Sequence, residues 1–320
     1  MTPSAALPTL LAIVGPTASG KSALGMFLAK KFGGEIVACD STQLYRGFDI
    51  GTAKPSRQDR EEVTHHLLDI LDPSEDSTAG SYRERAIAVL DDLRSRSRIP
   101  ILTVGTGLYL RALLEGLADL PIRSEKIRDR LRTSADEHGK GHLHGMLARL
   151  DSESAKKIAP SDEQKLIRAI EICLLTQKPL TEVHRSGRTP LTGWRVVKIG
   201  LQPDRELLVE RIHERTDTML KAGWLSEIEA LVRSGLPDGA KPFQFIGYRE
   251  LRSHLRGELT LDKARAQIQQ GTRQYAKRQL TWFRREADVH WLTGFGDDPS
   301  IQSAANDFVL SRLAQNLQQL

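Results

Sequence analysis

The sequence predicts an α/β fold in which a parallel sheet is flanked by helices and accompanied by a helical insertion domain and a helical C-terminal region. Short apolar runs of strand type, "LLAIV", "GEIVACD" and "RIPILTVG", alternate with segments of helical spacing. From about Pro121 the chain is charged and helix-rich, and no convincing strand follows until "WRVVKIGL". After Arg205 the pattern is helical to the end, with breaks at "SGLPDGAKP" and "LRGEL".

These changes divide the 320 residues into four segments. A sheet domain interrupted by one helical insertion is the most economical interpretation, because the strand-like "WRVVKIGL" comes after the charged segment. We expect the first part of the sheet domain in 1–120, a helical insertion domain in 121–191, a return to the sheet domain in 192–235 and C-terminal helices in 236–320.

The segment "GPTASGKS" links the first apolar run to the first helical pattern and has the spacing Gly-x-x-x-x-Gly-Lys-Ser. Such glycines let consecutive N–H groups converge on an anion at a helix N-terminus. The segment therefore predicts a phosphate-binding P-loop and a P-loop NTPase-like sheet. Its serine hydroxyl is expected to hold Mg²⁺. The residues of this loop are Gly15, Pro16, Thr17, Ala18, Ser19, Gly20, Lys21 and Ser22.

Composition narrows the class of protein only slightly. Lys and Arg exceed Asp and Glu by 46 to 41, so only the distribution of charge can indicate a polyanionic partner. Cys39 and Cys173 lie far apart without metal-ligand spacing, which is typical of a reduced compartment without disulfide or zinc. We expect a cytoplasmic protein, because the N-terminal apolar run leads straight into the P-loop and no run is long enough to span a membrane.

Two polar residues follow predicted strands besides the P-loop. Asp40 follows "EIVAC" and Thr106 follows "ILTVG", and ligands of open α/β sheets lie at the carboxyl ends of strands. Asp40 could hold Mg²⁺ or accept a proton, or it could cap the next turn. Thr106, between Gly105 and Gly107, could contact a ligand or cap the following helix. The "ILTVG" strand has no acidic residue at its end, which disfavours ATP hydrolysis.

The segment from Lys263 to Arg285 carries seven basic residues and no acidic one. On a helix, Tyr275 and Trp282 are interleaved with the basic residues, a pattern suited to phosphate contacts and base stacking. The alternative is a solvated cationic face whose aromatic residues belong to the core. A third feature is the helical pattern "ERIHERTDTMLKAGW", from which Arg211 or Arg215 could reach bound phosphates.

Together these pieces resemble the tRNA dimethylallyltransferases, also called tRNA isopentenyltransferases. The resemblance covers about residues 10 to 290 in the family's order. It rests on "GPTASGKS", "DSTQLYRGFDIGTAKP", "HHLLDILDP", "GTGLYLRALLEGL", "DEQKLIRAIEI", "FQFIGYRE" and "YAKRQLTWFRR".

The resemblance implies transfer of a dimethylallyl group from dimethylallyl diphosphate to N6 of adenosine 37, next to the anticodon of tRNA. The P-loop would hold the diphosphate, with Mg²⁺ on Ser22. Asp40 would bind the adenine amine and act as general base. Thr106 would hydrogen-bond the bridging or leaving oxygen, and Arg215 would contact the diphosphate.

Further residues match segments that contact the anticodon stem-loop in this family, and the implied function favours RNA contact for the basic helix. We expect a monomer that needs no protein partner and no membrane. The residues expected to contact tRNA are Asp40, Ser41, Thr42, Gln43, Thr106, Gln164, Lys165, Leu166, Ile167, Arg168, Gln244, Phe245, Ile246, Gly247, Tyr248, Arg249, Arg273, Lys277 and Arg278.

Three other functions are compatible with parts of this pattern. A P-loop small-molecule kinase would consume ATP, but it gives the basic C-terminal third no purpose. An adenylate isopentenyltransferase would use the same donor on a free nucleotide and would not need the tRNA-binding segments. A non-enzymatic RNA-binding ATPase module would keep RNA binding after Asp40→Ala but would not turn over the donor.

Overall fold

The computed structural model describes residues 7–118, 120–185 and 187–317. The chain divides into two compact units. Residues 114–191 form the second unit, and the described residues before and after it form the first.

The first unit contains the sheet. Its strands are β1 (Thr9–Val14), β2 (Glu35–Cys39), β3 (His65–His66), β4 (Pro100–Val104), β5 (Arg195–Leu201) and β6 (Val289–Leu292). Within the described residues these six strands form one sheet in the order β3-β2-β4-β1-β5-β6, and every neighbouring pair is parallel. The predicted α/β class with a parallel sheet is confirmed.

Helices flank this sheet and build the second unit. They are α1 (Lys21–Phe32), α2 (Arg57–Glu62), α3 (Ala79–Ser95), α4 (Gly107–Glu115), α5 (Glu125–His138), α6 (His142–Leu150), α7 (Ser152–Lys157), α8 (Glu163–Thr176), α9 (Leu180–Arg185), α10 (Arg205–Lys221), α11 (Trp224–Arg233), the 3₁₀ helix η1 (Lys241–Gln244), α12 (Tyr248–Leu255), α13 (Leu261–Phe283) and α14 (Pro299–Leu317).

The central strands are apolar runs because both faces of the sheet are covered. β1 and β2 are buried along their whole length, as is typical of strands in a parallel sheet. Helix α1 begins directly at the P-loop and ends at Gly33, whose φ of +61° suits a glycine C-cap. Because β4 lies between β1 and β2 in the sheet, the loops that follow these three strands come together at one edge.

The C-terminal segment differs from the sequence prediction at one point. We expected only helices after Arg205, but β6 pairs with β5, with Leu201 opposite Leu292. The run "VHWL" is only four residues long and lies at the edge of the sheet, with three of its residues partly or fully exposed. It therefore lacks the continuous apolar pattern that identified the central strands.

The second unit has an apolar core of its own. Leu147, Leu166 and Ile170 are buried in it. Glu171 is fully buried in the same unit, where its carboxylate accepts hydrogen bonds from the Ser124 N–H at 2.6 Å and from Arg168 at 2.7 Å. These bonds compensate the burial of a charge that would otherwise destabilise the helices.

Within the described ranges, no helix combines the length and the apolar character needed to cross a bilayer.

A buried carboxylate lies at the amino-terminal end of strand β2. Glu35, at the start of β2, is 4% exposed and accepts hydrogen bonds from Arg96 at 2.6 Å and His66 at 2.7 Å. The Arg96 hydrogen bond is the main cause that lowers the pKa of Glu35 to about 2, against the opposing effect of burial. A carboxyl with a depressed folded-state pKa stabilises the fold above its unfolded pKa, and this stabilisation is lost as the pH falls toward 2.

We predict that Glu35→Gln lowers the free energy of unfolding by about 3 kcal/mol at pH 7, because folding lowers the pKa of this carboxyl from its ordinary 4.5 to about 2. The loss should be about half as large at pH 3, because the carboxyl of the unfolded chain is then mostly protonated while the folded-state carboxylate is still mostly ionised. Urea unfolding at both pH values measures it. Glu62→Gln, which removes an exposed partner of Lys30, is the matched control and should change stability little. An equal loss for Glu35→Gln at pH 7 and pH 3 would contradict this account.

Candidate active site

Three loops of the first unit meet at the carboxyl edge of the sheet. The P-loop follows β1, Asp40 follows β2, and Gly105 and Thr106 follow β4. Cys39 lies opposite Val104 in the register of β2 and β4. The N–H groups of Gly105 and Thr106 both donate to the Cys39 carbonyl at 3.0 Å. The parallel register therefore brings Asp40 and Thr106 together beside the P-loop.

The P-loop has a backbone that requires glycine. Gly20 has a φ of +85°, and a Cβ there would lie 2.6 Å from the backbone nitrogen of Gly296. The Gly296 N–H in turn donates to the Ser19 carbonyl at 2.9 Å. The loop after β6 thus packs directly against the P-loop and fixes the N-terminus of α1.

Lys21 lies at the floor of this loop. Its ammonium group donates to the carbonyls of Gly15 at 2.9 Å and Pro16 at 2.7 Å. Burial lowers the pKa of Lys21 to about 7; the negative charge of Asp40 opposes this shift, and the positive charge of Arg215 adds to it. An anion in the loop would favour the protonated form of Lys21, because it adds negative charge next to the amine.

The two oxygens of Asp40 have different surroundings. Oδ1 accepts hydrogen bonds from the Thr42 N–H at 2.8 Å and from its hydroxyl at 2.7 Å. Oδ2 lies against Gly105, where a Cβ would be only 1.9 Å away. Only Oδ1 therefore caps the following turn, which was the alternative role considered from the sequence. Within the described part of the chain Oδ2 has no hydrogen bond, so one acceptor remains available to a substrate.

The Thr106 hydroxyl is bound to the loop after β2. It accepts from the Ser41 N–H at 3.0 Å and lies 3.2 Å from the Ser41 hydroxyl. Helix α4 begins instead with the Thr106 carbonyl, which accepts from the Tyr109 N–H at 3.0 Å. The hydroxyl is thus directed toward the loop that carries Asp40, and it does not cap α4 as the alternative from sequence proposed.

The structure distinguishes between the two arginines of α10. Arg211 makes two hydrogen bonds to Asp297, at 2.8 and 2.6 Å. Arg215 has no hydrogen bond or ion pair within the described residues, although it lies close enough to Asp40 and Arg211 for their charges to act on its pKa. Burial is the main cause that lowers the pKa of Arg215. A desolvated cation without a counter-ion is a strong candidate for anion binding.

Two cavities share Asp40, Arg215 and Tyr275 in their walls. The larger, of about 620 Å³, is also lined by the P-loop from Thr17 to Ala23. The smaller, of about 310 Å³, is lined by the Asp40 loop and by Phe245 among others. Two compartments that converge on one carboxylate can hold two different substrates.

The segment "DIGTAKP" is anchored by α11 and α12. Glu227 accepts from the Asp49 and Ile50 N–H groups at 3.0 and 2.8 Å. Tyr248 donates to Glu227 at 2.6 Å and accepts from the Gly51 N–H at 3.1 Å. These residues determine the shape of the loop that borders both cavities.

Four of the residues expected to contact tRNA are buried. Leu166 and Ile167 lie in the core of the second unit, and Gly247 and Tyr248 are buried in the first unit. The side chains of Leu166, Ile167 and Tyr248 are enclosed by protein and Gly247 has none, so these four residues present no side chain to RNA in this structure. The apolar periodicity of α8 could have identified Leu166 and Ile167 as core residues.

The other expected tRNA contacts are exposed or partly exposed. Arg273 is partly buried and contacts His213 Nε2 at 2.5 Å, and Gln43 donates to the Thr52 carbonyl at 3.1 Å. Those with exposed side chains are Gln164, Lys165, Gln244, Arg249, Lys277 and Arg278. Those partly exposed are Asp40, Ser41, Thr42, Gln43, Thr106, Arg168, Phe245, Ile246 and Arg273.

The aromatic residues of α13 contact protein at this site. Tyr275 donates to the Gly105 carbonyl at 3.0 Å, and a Cβ on Gly107 would lie 2.3 Å from the indole of Trp282. Both rings therefore contact the loop after β4, and Tyr275 also lines both cavities. Sequence reasoning missed Gln279, which follows Tyr275 by one helical turn and donates to the same carbonyl at 2.7 Å.

Comparison with known proteins places this arrangement in a family. The family model for IPP transferases matches residues 43–286, more than half of the chain. The chain belongs to the IPP transferase family. A tRNA dimethylallyltransferase from Koribacter versatilis is 51% identical over 302 residues, which cover 94% of this chain and 98% of the relative. One from Solibacter usitatus is 49% identical over 306 residues, covering 96% and 99%.

Solved structures of IPP transferases have the same fold. The crystal structure of a tRNA isopentenylpyrophosphate transferase from Bacillus halodurans matches with a TM-score of 0.72 and 36% identity, over 97% of this chain and 98% of that one. A eukaryotic dimethylallyltransferase acting on tRNA matches with a TM-score of 0.79 and 28% identity, over 95% and 80% of the chains.

We predict that Gly105→Ala lowers kcat by about 10²-fold, because the new methyl group displaces the Asp40 carboxylate from its position. Because the Asp40 side chain can rotate away, we expect only a small change in the midpoint temperature of unfolding. Prenyl transfer to tRNA and thermal unfolding measure the two effects. Gly239→Ala is the matched control, since nothing lies within 4 Å of a Cβ there. If kcat of Gly105→Ala equalled that of the wild type, the close approach of the Gly105 main chain to Asp40 would not be needed for the reaction.

Proposed function

We propose that this chain transfers a dimethylallyl group from dimethylallyl diphosphate to N6 of adenosine 37, next to the anticodon of tRNA. The observation that carries the proposal is that Asp40 and the unpaired Arg215 line both cavities, the larger of which is also lined by the P-loop from Thr17 to Ser22. The relatives that match nearly the full length of the chain are tRNA dimethylallyltransferases.

The larger cavity suits the diphosphate of the donor. The P-loop supplies N–H groups at the start of α1, and Lys21 and Arg215, which both line this cavity, supply positive charge. When the allylic C1–O bond breaks, negative charge develops on the leaving diphosphate. Groups fixed in advance around that charge stabilise the transition state.

The smaller cavity suits the acceptor base. An adenine stacked within RNA cannot reach a carbon beside the P-loop, so it must leave the stack and enter the protein. Its N6 amine then lies next to Asp40. As the N6–C1 bond forms, one proton moves from N6 to Asp40 Oδ2, and the diphosphate leaves. The Thr106 hydroxyl is bonded to Ser41 in the loop that carries Asp40, and we assign it a hydrogen bond to the bridging or leaving oxygen.

The residues present also fit a magnesium ion. Mg²⁺ commonly binds one or two protein oxygens together with phosphate oxygens and waters, and the exposed hydroxyl of Ser22 lies in the wall of the larger cavity. A bound ion would neutralise part of the diphosphate charge. We propose Ser22 as its protein ligand.

The exposed basic residues of α13 suit the backbone of the anticodon arm. Lys277 and Arg278 are exposed on the same helix whose inner face contacts the loop after β4. Their position supports RNA contact over the alternative of a merely solvated face. We propose that they pair with phosphates and do not read the base sequence.

The direct test incubates the protein with radiolabelled dimethylallyl diphosphate and either tRNA or AMP. We predict label in tRNA alone; label in AMP alone would favour the adenylate isopentenyltransferase alternative. Asp40→Asn should lower kcat by about 10²–10⁴-fold with little change in the Kd for tRNA, because it removes a base and keeps the shape. Asp91→Asn, an exposed site on α3, is the control. An unchanged kcat in Asp40→Asn would exclude Asp40 as the general base.

We predict that the double change Lys277→Ala and Arg278→Ala weakens tRNA binding and reduces the slope of log K against log salt by about 1.5. The slope falls because tRNA binding with fewer phosphate contacts releases fewer counterions. Filter binding between 50 and 200 mM salt measures the slope. Lys31→Ala, which removes an exposed charge from the last turn of α1, should leave it unchanged. If the slope of the double variant equals that of the wild type, this face does not contact phosphates.

A further inference from the structure

Gln279 lies at the centre of the α13 face that contacts the reaction site. Its side chain is only 6% exposed. Oε1 accepts a hydrogen bond from the Thr17 N–H at 2.7 Å, and Nε2 donates to the Gly105 carbonyl at 2.7 Å. One buried amide therefore joins the P-loop to the loop after β4. Both of its hydrogen-bonding groups are used, and both bonds are short.

The bond to Thr17 changes how the P-loop can be used. In a phosphate-binding loop the N–H groups converge on the anion. Here the Thr17 N–H is committed to a side chain 262 positions later in the chain. This bond fixes the orientation of one peptide plane at the start of the loop, and the anion must be bound by the N–H groups that follow.

The bond to Gly105 belongs to a larger clamp on the loop after β4. The Gly105 carbonyl accepts a second hydrogen bond from Tyr275, at 3.0 Å. Trp282 packs so closely on Gly107 that a Cβ there would lie 2.3 Å from its ring. Tyr275, Gln279 and Trp282 are separated by four and three residues, so they share one face of α13. Thr106 lies between the two clamped glycines.

The clamp extends to Asp40 through the main chain of Gly105. The Gly105 Cα faces Asp40 Oδ2 so closely that there is no room for a methyl group. A movement of Gly105 would therefore move the surface against which the carboxylate rests. Through Gly105 the Gln279 amide can influence both Asp40 and Thr106, and through Thr17 it can influence the P-loop.

We propose that Gln279 is a positioning residue for prenyl transfer: it holds the P-loop and the Gly105 loop at the separation that the reaction requires. This inference rests on the proposed function and adds to it a residue in the wall of the larger cavity whose amide hydrogen bonds are both made to the protein main chain. Its bonds are made to the main chain of both loops, so its effect falls on the reaction step and leaves tRNA binding by the exposed face of α13 intact.

Gln279→Met tests the amide at nearly constant shape. It removes both hydrogen bonds, and we expect kcat to fall by about 10–100-fold, because small displacements of reacting groups carry penalties of this size. The Kd for tRNA should stay within twofold of the wild type. Gln58→Met makes the same chemical change at an exposed position of α2, and we expect its kcat to be that of the wild type.

Gln279→Glu separates positioning from packing. An ionised glutamate can accept from the Thr17 N–H but cannot donate to the Gly105 carbonyl, whereas a protonated one can do both. Burial raises the pKa of such a carboxyl. We therefore expect the ratio of the Gln279→Glu rate to the wild-type rate, measured at each pH, to rise at least fivefold between pH 8.5 and pH 6. Taking the ratio removes the pH effects that are common to both proteins.

The outcomes separate the two hypotheses. If the wild type does not prenylate tRNA, the proposed function fails and the positioning role fails with it. If the wild type is active and Gln279→Met matches Gln58→Met in kcat, only the positioning role is overturned. It is also overturned if Gln279→Glu and Gln279→Met are impaired by the same factor at every pH, since the side chain would then contribute by packing alone.

Discussion

The contact between the Asp40 carboxylate and the main chain of Gly105 is the constraint on which the reaction site depends. It exists because β2 and β4 are parallel neighbours, with Cys39 opposite Val104, so that the next residues of both strands lie side by side. Only glycine at position 105 leaves room for the carboxylate. The geometry of the site is therefore determined by the sheet itself, and the helices around it refine that geometry.

Electrostatics adds a second constraint. The charges of Asp40 and Arg215 act on the pKa of Lys21, and the charge of Asp40 acts on the pKa of Arg215. Burial is the main cause that lowers the pKa of both cations. Lys21 donates to carbonyls of its own loop, while Arg215 has no ionic partner in the described part of the chain. Two neighbouring cations repel each other, and an anion with more than one negative charge relieves this repulsion when it binds to both. A diphosphate meets that requirement, and its departure restores the original arrangement.

Much of this site could be predicted from local sequence. The P-loop spacing and the position of Asp40 after an apolar run are patterns within a few residues, and the parallel sheet follows from the alternation of strands and helices. The role of Gln279 could not be predicted in this way, because its partners Thr17 and Gly105 are distant in sequence and are reached only through the packing of α13. Edge strand β6 was missed because its four residues are too few and too exposed to show a strand pattern.

A crystal structure of the protein with inorganic pyrophosphate tests the central claim most directly. The account predicts that the anion lies in the P-loop, that Lys21 turns from the carbonyls of Gly15 and Pro16 toward it, and that Arg215 contacts it from the opposite side while Asp40 stays against Gly105. Pyrophosphate bound elsewhere on the protein, with Lys21 and Arg215 unchanged, would contradict it.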